Sequence, residues 1–295
     1  MGETWSAWQP LPASWTPTAR VLRETLDGGQ AFRWTHSADG LWHGVFGGHV
    51  VRLRHTVKDR VEWCTPAALA RNTAATAAAL LHYLDLDRAA DALADSLPWR
   101  SDPHLARCRS EFPGLRILRQ PFGETLLCFL CSATKQIVQI KQMVALLAKH
   151  HGAEITAGVF RLPSWAELAA VPEPELRKCL LGFRARYISE TAKFLAANPG
   201  WLEETEALPY ADAKARLCSL PGVGDKVADC VLLFGANKLE AFPVDVWIIR
   251  TMATRYGLEN WPPAQIAHFG RVHFGPLAGL AQQFLFAYER AHRST

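Results

Sequence analysis

The chain has 295 residues, of which 49% are hydrophobic and 20% are charged, and its formal net charge is +4. These proportions are typical of a globular protein and exclude a disordered one, and the length suffices for two domains of ~100–200 residues. No apolar run approaches the ~20 residues that span a bilayer, and residues 1–15 lack the basic and apolar segments of a secretory signal. We therefore expect an intracellular protein with no membrane partner, in the cytoplasm or nucleoid of a bacterium or in the nucleus of a eukaryote.

The positive charge is concentrated in the second part of the chain. Residues 1–115 hold 12 Lys/Arg and 12 Asp/Glu, whereas residues 116–295 hold 20 and 16. This bias suits a polyanionic partner, although surplus charge is also typical of a solvated face. The seven cysteines indicate reduced thiols in a chain without an export signal. Cys128 and Cys131 are expected to be buried thiols rather than zinc ligands, because no further ligands stand at matching spacing.

The first sixty residues predict an antiparallel sheet. Residues 30–34 and 41–46 are rich in aromatic side chains, and residues 37–40 between them are typical of a turn. Residues 49–54 alternate apolar and polar side chains, which is typical of a strand with one partly solvated face. An Ala- and Leu-rich helix is predicted over residues 67–83.

From about Leu118 onward the pattern is helical. Residues 124–147 predict one long helix because neither Gly nor Pro interrupts them. Loops that contain Pro and Gly separate further predicted helices at residues 165–168, 173–181, 185–197, 211–220, 225–234, 245–256 and 276–292. The fold class is therefore α+β, with an antiparallel-sheet domain with helices over residues 1–115 and an all-helical domain over residues 116–295.

Residues 220–230 predict a helix, a tight hairpin and a second helix. Pro221 cannot continue the first helix, and Gly222 and Gly224 on either side of Val223 permit a sharp turn. Such a turn lets the backbone approach a phosphate, which the free N–H groups of the second helix can bind. The pattern favours a helix–hairpin–helix that holds DNA backbone without reading its sequence, although many helix-turn-helix joints look similar.

Two chemically active side chains follow this hairpin. Lys226 lies in the first turn of the second helix, and Asp245 starts another helix nineteen residues later, so a short loop can return it to the hairpin. A protonated lysine is no nucleophile. Burial, an apolar wall and a helix N-terminus favour the neutral amine, which can attack a sugar carbon and form a Schiff base. Taken singly, Lys226 could contact a phosphate and Asp245 could be an ordinary N-cap; together with the hairpin, they favour a catalytic pair.

The runs at residues 221–230 and 243–246 closely resemble the 8-oxoguanine DNA glycosylases of the helix–hairpin–helix superfamily. Four more segments match this family in the same order along the chain: residues 28–34, 131–132, 181–187 and 278–286. The resemblance implies a bifunctional glycosylase/AP lyase that flips a damaged purine out of double-stranded DNA, acts as a monomer and requires no cofactor. A monovalent cation at the hairpin of Gly222, Val223 and Gly224 is a further expectation.

The resemblance also implies roles for individual residues in catalysis and lesion binding. Lys226 would attack the sugar C1′ and lead to Schiff-base β-elimination, and Asp245 would stabilise the cationic sugar. Gly29 would accept a hydrogen bond from the N7–H that 8-oxoguanine has and guanine lacks, which is worth roughly 1–3 kcal/mol. Cys230 and Phe286 would sandwich the flipped base, and Gln282 would bond its Watson–Crick edge.

The region that would face the opposite base departs most from the family pattern. Phe183 stands at the wedge position, where a tyrosine is usual, and Arg184 would reach the estranged base. Thr134 replaces an expected asparagine, Gln139 replaces an expected arginine, and Trp247 stands where a phosphate-binding histidine is usual. We therefore expect relaxed selectivity for the base opposite the lesion. The residues alone also allow Phe183, Phe284 and Phe286 to be core side chains.

Two other functions remain open from the sequence. A monofunctional alkylpurine glycosylase would share the fold and the aspartate but not a reactive lysine, so Lys226 argues against it. A non-catalytic DNA-binding module would retain the hairpin but need neither Lys226 nor Asp245. An iron–sulfur enzyme similar to endonuclease III is excluded because the last cysteine is Cys230, which leaves no C-terminal cluster ligands.

Overall fold

The computed structural model describes residues 4–56 and 60–292 of the chain. Its amino-terminal part is built on a five-stranded antiparallel sheet in the order β1-β5-β4-β3-β2. The strands are β1 (Gln9–Pro10), β2 (Trp34–His36), β3 (Trp42–Phe46), β4 (His49–His55) and β5 (Val61–Cys64). Gly47 and Gly48 join β3 to β4 with φ values of 51° and 81°, the positive values that a two-residue hairpin turn requires.

Four helices accompany this sheet: α1 (Ala19–Asp27), α2 (Thr73–Tyr83), α3 (Ala90–Ser96) and α4 (Pro103–Glu111). A short 3₁₀ segment, Ala67–Asn72, precedes α2. The sheet and α1 bury an aromatic core in which Trp34 donates its ring N–H to the hydroxyl of Tyr83 at 3.0 Å. The predicted α+β fold of this part is confirmed.

The second part is helical and contains α5 (Phe122–Leu130), α6 (Ile137–His151), α7 (Trp165–Ala169), α8 (Glu173–Leu176), α9 (Arg184–Ala197), α10 (Trp201–Ala207), α11 (Tyr210–Cys218), α12 (Asp225–Phe234), α13 (Val246–Tyr256), α14 (Pro263–Phe274) and α15 (Ala278–Ala291). A small hairpin of β6 (Glu154–Thr156) and β7 (Val159–Phe160) interrupts the helices. Helices α5 and α12 are its most buried elements, and they pack through the stacked rings of Phe129 and Phe234. No helix within the described ranges is long and apolar enough to cross a membrane.

Three predicted elements are wrong. The helix predicted over residues 173–181 ends at Leu176, because Arg177–Leu181 forms a π-type turn with a positive φ of 63° at Leu180. The other two lie nearer the candidate site. Residues 124–147 do not form one helix, because α5 ends at Leu130 and Thr134 adopts a positive φ of 54° before α6 begins. Residues 30–33 do not belong to a strand, since the buried side chain of Gln30 bonds the carbonyl of Arg116 at 2.8 Å and the N–H of Leu118 at 2.9 Å. These last two errors fall where the chain turns toward that site.

The predicted burial of Cys128 and Cys131 is confirmed. All seven thiols are free, and Cys128 and Cys131 are both buried. Within residues 4–56 and 60–292, no group of three or more His, Cys, Asp or Glu side chains is placed to hold a metal ion.

Candidate active site

The predicted hairpin joins α11 to α12. Gly222 has a φ of 77°, and a Cβ atom there would lie 2.4 Å from the ring of Tyr187, so only glycine fits. Val223 is buried beneath the turn, and Gly224 is exposed at the N-terminus of α12. The hairpin therefore presents bare backbone to solvent at a helix N-terminus, the geometry that binds a phosphate.

The two helices of this motif are tied together by a buried carboxylate. Asp229 of α12 accepts hydrogen bonds from the hydroxyl of Tyr210 at 2.7 Å and from Nζ of Lys214 at 3.0 Å. Both donors lie on α11. Because the carboxylate is almost fully buried, removal of either partner would leave a charge in the core. This pairing fixes the angle at which the hairpin and the first turn of α12 are held.

Six residues predicted for catalysis and lesion binding line one cavity: Gly29, Lys226, Cys230, Asp245, Gln282 and Phe286. Its volume is about 40 Å³, and because ~10–15 Å³ of such space admits one water molecule, it has room for about three waters. A flipped purine with its sugar is larger than that, so the cavity must widen before the base can enter.

Lys226 lies in the first turn of α12, at the positive end of the helix dipole. Its Nζ is 5.3 Å from the centroid of the Phe129 ring, and Cys230 lines the same cavity. Burial raises the pKa of Cys230 to about 11, although Lys226 opposes that rise, so the thiol is neutral near pH 7. The amine therefore faces an apolar wall and an uncharged sulfur.

Asp245 is the N-cap of α13. Its Oδ1 accepts hydrogen bonds from the backbone N–H groups of Trp247 at 3.0 Å and Ile248 at 2.9 Å. Burial raises the pKa of Asp245, while these two donors and the charge of Lys226 act in the opposite direction. The carboxylate is thus fixed in orientation, shielded from water and directed at the cavity, where it can stabilise positive charge.

The pocket side chains are held by bonds to one another. Gln282, only 3% exposed, donates its amide N–H to the carbonyl of Pro243 at 3.1 Å and accepts one from Gln283 at 2.8 Å. Gly29 has a φ of 106°, and a Cβ there would lie 3.2 Å from Ile137 and 3.8 Å from Phe286. The backbone at Gly29 therefore borders the cavity at a point where a side chain would be strained.

Comparison with known proteins decides the family. Residues 16–126 match the model of the 8-oxoguanine DNA glycosylase N-terminal domain, and residues 128–271 match that of the HhH-GPD superfamily of base excision DNA repair proteins. The N-glycosylase/DNA lyase of Arabidopsis thaliana is 35% identical over 98% of this chain and 82% of its own length. The chain belongs to the 8-oxoguanine DNA glycosylase family.

Solved structures agree with this assignment. The 8-oxoguanine glycosylase/lyase of Clostridium acetobutylicum, bound to double-stranded DNA with cytosine opposite 8-oxoguanine, is 31% identical with a TM-score of 0.82 and covers 92% of this chain and 91% of its own. MBOgg1 in complex with a low-affinity DNA ligand is 30% identical with a TM-score of 0.84 over 99% of both chains. The likeness to glycosylase structures therefore extends through both parts of the molecule.

The residues predicted for the wedge and the opposite base lie around the loop before α9 and the start of α6. Phe183 is 50% exposed, whereas Arg184 is 2% exposed and lies 4.3 Å from the Phe183 ring. Arg184 donates to the carbonyls of Leu181 and Ala133 and to the hydroxyl of Thr134. The structure thus brings three of the four predicted residues together.

Gln139, the fourth, has a local partner. Its Oε1 accepts a hydrogen bond from the N–H of Gln136 at 3.1 Å and so caps the start of α6. A glutamine three residues after an N-cap commonly has this role. The N-cap here is Gln136 rather than the Ser or Thr that marks a capping box in a sequence, so this role had no clear signal.

Two residues near the pocket, Phe129 and Arg290, were missed by sequence reasoning. Phe129 forms part of the cavity wall. Arg290 donates to the carbonyl of Gly28 at 2.6 Å and to Glu24 at 2.9 Å, and it lies 5.4 Å from the Phe286 ring. The spacing of Arg290, one helical turn after Phe286, could have placed it near the pocket. No sequence pattern indicated its partners Glu24 and Gly28. Of the aromatic residues that the sequence allowed as core, only Phe284 is fully buried.

Proposed function

We propose that this protein is a bifunctional DNA glycosylase/AP lyase that excises 8-oxoguanine from double-stranded DNA and acts as a monomer. The observation that carries the proposal is the shared cavity, in which Lys226 and Asp245 face Gly29, Gln282 and Phe286. The relatives that span the chain are named as glycosylase/lyases, and one was solved with 8-oxoguanine in its DNA. The hairpin beside the cavity supplies a phosphate site for the duplex.

The proposed chemistry uses only the side chains of the protein and the DNA. The amine of Lys226, once it has lost its proton, attacks C1′, and the C1′–N9 bond breaks with its electron pair leaving on the base, which takes up a proton. The charge that develops on the sugar is stabilised by the carboxylate of Asp245. Ring opening gives a Schiff base on Lys226, and loss of a C2′ proton then expels the 3′ phosphate by β-elimination. A water molecule finally releases the lysine.

Lesion recognition in this proposal rests on hydrogen bonds within a small volume. The carbonyl at Gly29 accepts the N7–H of 8-oxoguanine, and guanine would instead place a lone pair against it. The amide of Gln282 is already oriented by Pro243 and Gln283, which lowers the entropic cost of bonding the base. Phe286 is half-buried, so its ring can move to admit the base between itself and Cys230.

We also propose that selectivity for the opposite base is relaxed. Cytosine is read by donors directed at O2 and N3, and a guanidinium presents such donors in a rigid fork. Of the residues predicted to face the opposite base, only Arg184 has a guanidinium, and it must leave its bonds to Leu181, Ala133 and Thr134 to reach cytosine. Gln139 is uncharged and caps α6. Fewer fixed donors impose a smaller penalty on a wrong base, since fewer buried groups lose a partner when it enters.

One experiment tests both parts of the proposal. Single-turnover assays would use duplexes with 8-oxoguanine opposite each of the four bases, and an undamaged duplex would serve as the control. We expect base release and strand cleavage opposite cytosine, with a shallow preference over the other three bases. Base release without strand cleavage, or activity on alkylpurines alone, would instead favour a monofunctional enzyme. Sedimentation of the protein at assay concentration would test the monomer.

A further inference from the structure

Leu180 has an unusual backbone conformation. It lies in the π-type turn Arg177–Leu181 with φ 63° and ψ 17°, the left-handed region that a bulky side chain disfavours. In the described part of the chain, the other non-glycine residues with positive φ are Asp85, Thr134, Asn237 and Asn260, all of them polar. Asparagine and aspartate tolerate this region best, so an asparagine or glycine would suit the backbone of this turn better than leucine does.

The strained leucine is also exposed. Its exposed fraction is 53%, which is close to the 50% of Phe183 three residues later on the same loop. Between them Gly182 has a φ of 57°, and a Cβ atom there would meet nothing within 4 Å. The loop therefore projects two apolar side chains into open solvent. Neither burial nor backbone preference accounts for a leucine at position 180, and strain that is retained without a structural gain is a sign of function.

We propose that Leu180 is a second wedge residue, which enters the DNA beside Phe183 when the lesion is flipped. This inference rests on the proposed function. Flipping leaves a gap in the base stack, and proteins that open base steps insert apolar side chains into them. Phe183 fills the gap left by the purine, and Leu180 packs against the neighbouring base step. Arg184 anchors the base of the loop that carries both side chains, through the carbonyl of Leu181 at 3.2 Å.

The decisive variant is Leu180→Asn, because asparagine relieves the backbone strain and removes the apolar side chain. We expect its Tm to be unchanged or higher and its excision of 8-oxoguanine opposite cytosine to be about tenfold slower, the factor for ~1.4 kcal/mol of lost transition-state stabilisation. Strand cleavage at a preformed abasic site, where no base must leave the stack, should stay within about twofold of wild type. Leu180→Met retains an apolar side chain and should stay close to wild type in both reactions.

The control and a second readout separate this inference from the proposed function. Val272→Asn removes an exposed apolar side chain from α14 and should change neither rate. The fluorescence of 2-aminopurine beside an abasic analogue reports unstacking without catalysis; wild type and Leu180→Met should raise it, and Leu180→Asn should not. Excision by Leu180→Asn within twofold of wild type, or equal slowing of both reactions with a lower Tm, would overturn the role of Leu180. If wild type raised the fluorescence and Leu180→Asn did not, but neither excised 8-oxoguanine, the proposed function would be refuted while the role of Leu180 was supported.

Discussion

Replacement of Asp245 by asparagine should separate catalysis from stability. The asparagine Oδ1 can still accept from the N–H groups of Trp247 and Ile248, and Asn and Asp are about equally good N-caps. What disappears is a negative charge beside the sugar. At ~4 Å and an effective dielectric constant of about 20, that charge is worth about 4 kcal/mol, and removal of one such stabilising group from other enzymes slows the reaction about 10²- to 10³-fold. We expect a loss of that size in the single-turnover excision rate.

The pKa of Asp245 gives the sign of the stability change. Because burial raises this pKa, the folded state favours the protonated acid, and stability falls as the pH rises through the raised value. At a pH above this raised pKa, the ionised carboxylate destabilises the fold, so Asp245→Asn should have an equal or higher Tm at pH 7. Asp245→Ala should lose the cap and about 1 kcal/mol of stability.

The pH profile provides an independent check on Asp245. The wild-type excision rate should fall as the pH drops through the raised pKa, and Asp245→Asn should lack that limb. Asp102 is a matched control because it caps α4 with bonds to the N–H groups of His104 at 3.0 Å and Leu105 at 2.9 Å, away from the cavity. Asp102→Asn should leave excision within about twofold of wild type. An unchanged rate in Asp245→Asn would remove this carboxylate from the mechanism.

Three further predictions concern recognition. Gln139→Arg should steepen the preference for cytosine in excision assays on the four duplexes. An unchanged preference would show that Gln139 does not cause the relaxed selectivity. Arg290→Met should lower the free energy of unfolding by ~1–3 kcal/mol, because it leaves Glu24 largely buried without its partner. Adding Glu24→Gln to this variant should restore much of the lost stability. An unchanged denaturation curve for Arg290→Met would contradict the pairing. Duplex affinity should fall with salt on a shallow slope, since the basic excess is small; an affinity independent of salt would contradict phosphate binding at the hairpin.

The chemistry of the site was predictable because it is encoded in contiguous residues. The two glycines of the hairpin are visible in the sequence, Lys226 follows in the first turn of the next helix, and Asp245 caps another helix after one short loop. The cavity that unites them with Gly29 was expected only through the family resemblance. It depends on contacts between segments more than 200 residues apart, such as Arg290 with Gly28, which no local pattern encodes.

The errors arose where side chains replace regular backbone hydrogen bonding. Gln30 satisfies backbone groups at residues 116 and 118, so its aromatic-rich segment is a loop rather than a strand. The break between α5 and α6 has no glycine or proline, and it depends on a left-handed Thr134 whose hydroxyl accepts a bond from Arg184 at 3.1 Å. The conformation of Leu180 was unpredictable for the same reason, because leucine is a poor indicator of positive φ.

Trapping with borohydride tests the central claim, that Lys226 is the nucleophile. Wild-type protein and a duplex containing 8-oxoguanine should give a covalent complex after reduction of the Schiff base. Lys226→Gln, shown to be folded by circular dichroism, should give neither this complex nor base release, whereas Lys193→Gln on the exposed face of α9 should give both. A trapped complex with Lys226→Gln would show that another amine attacks the sugar and would contradict the mechanism.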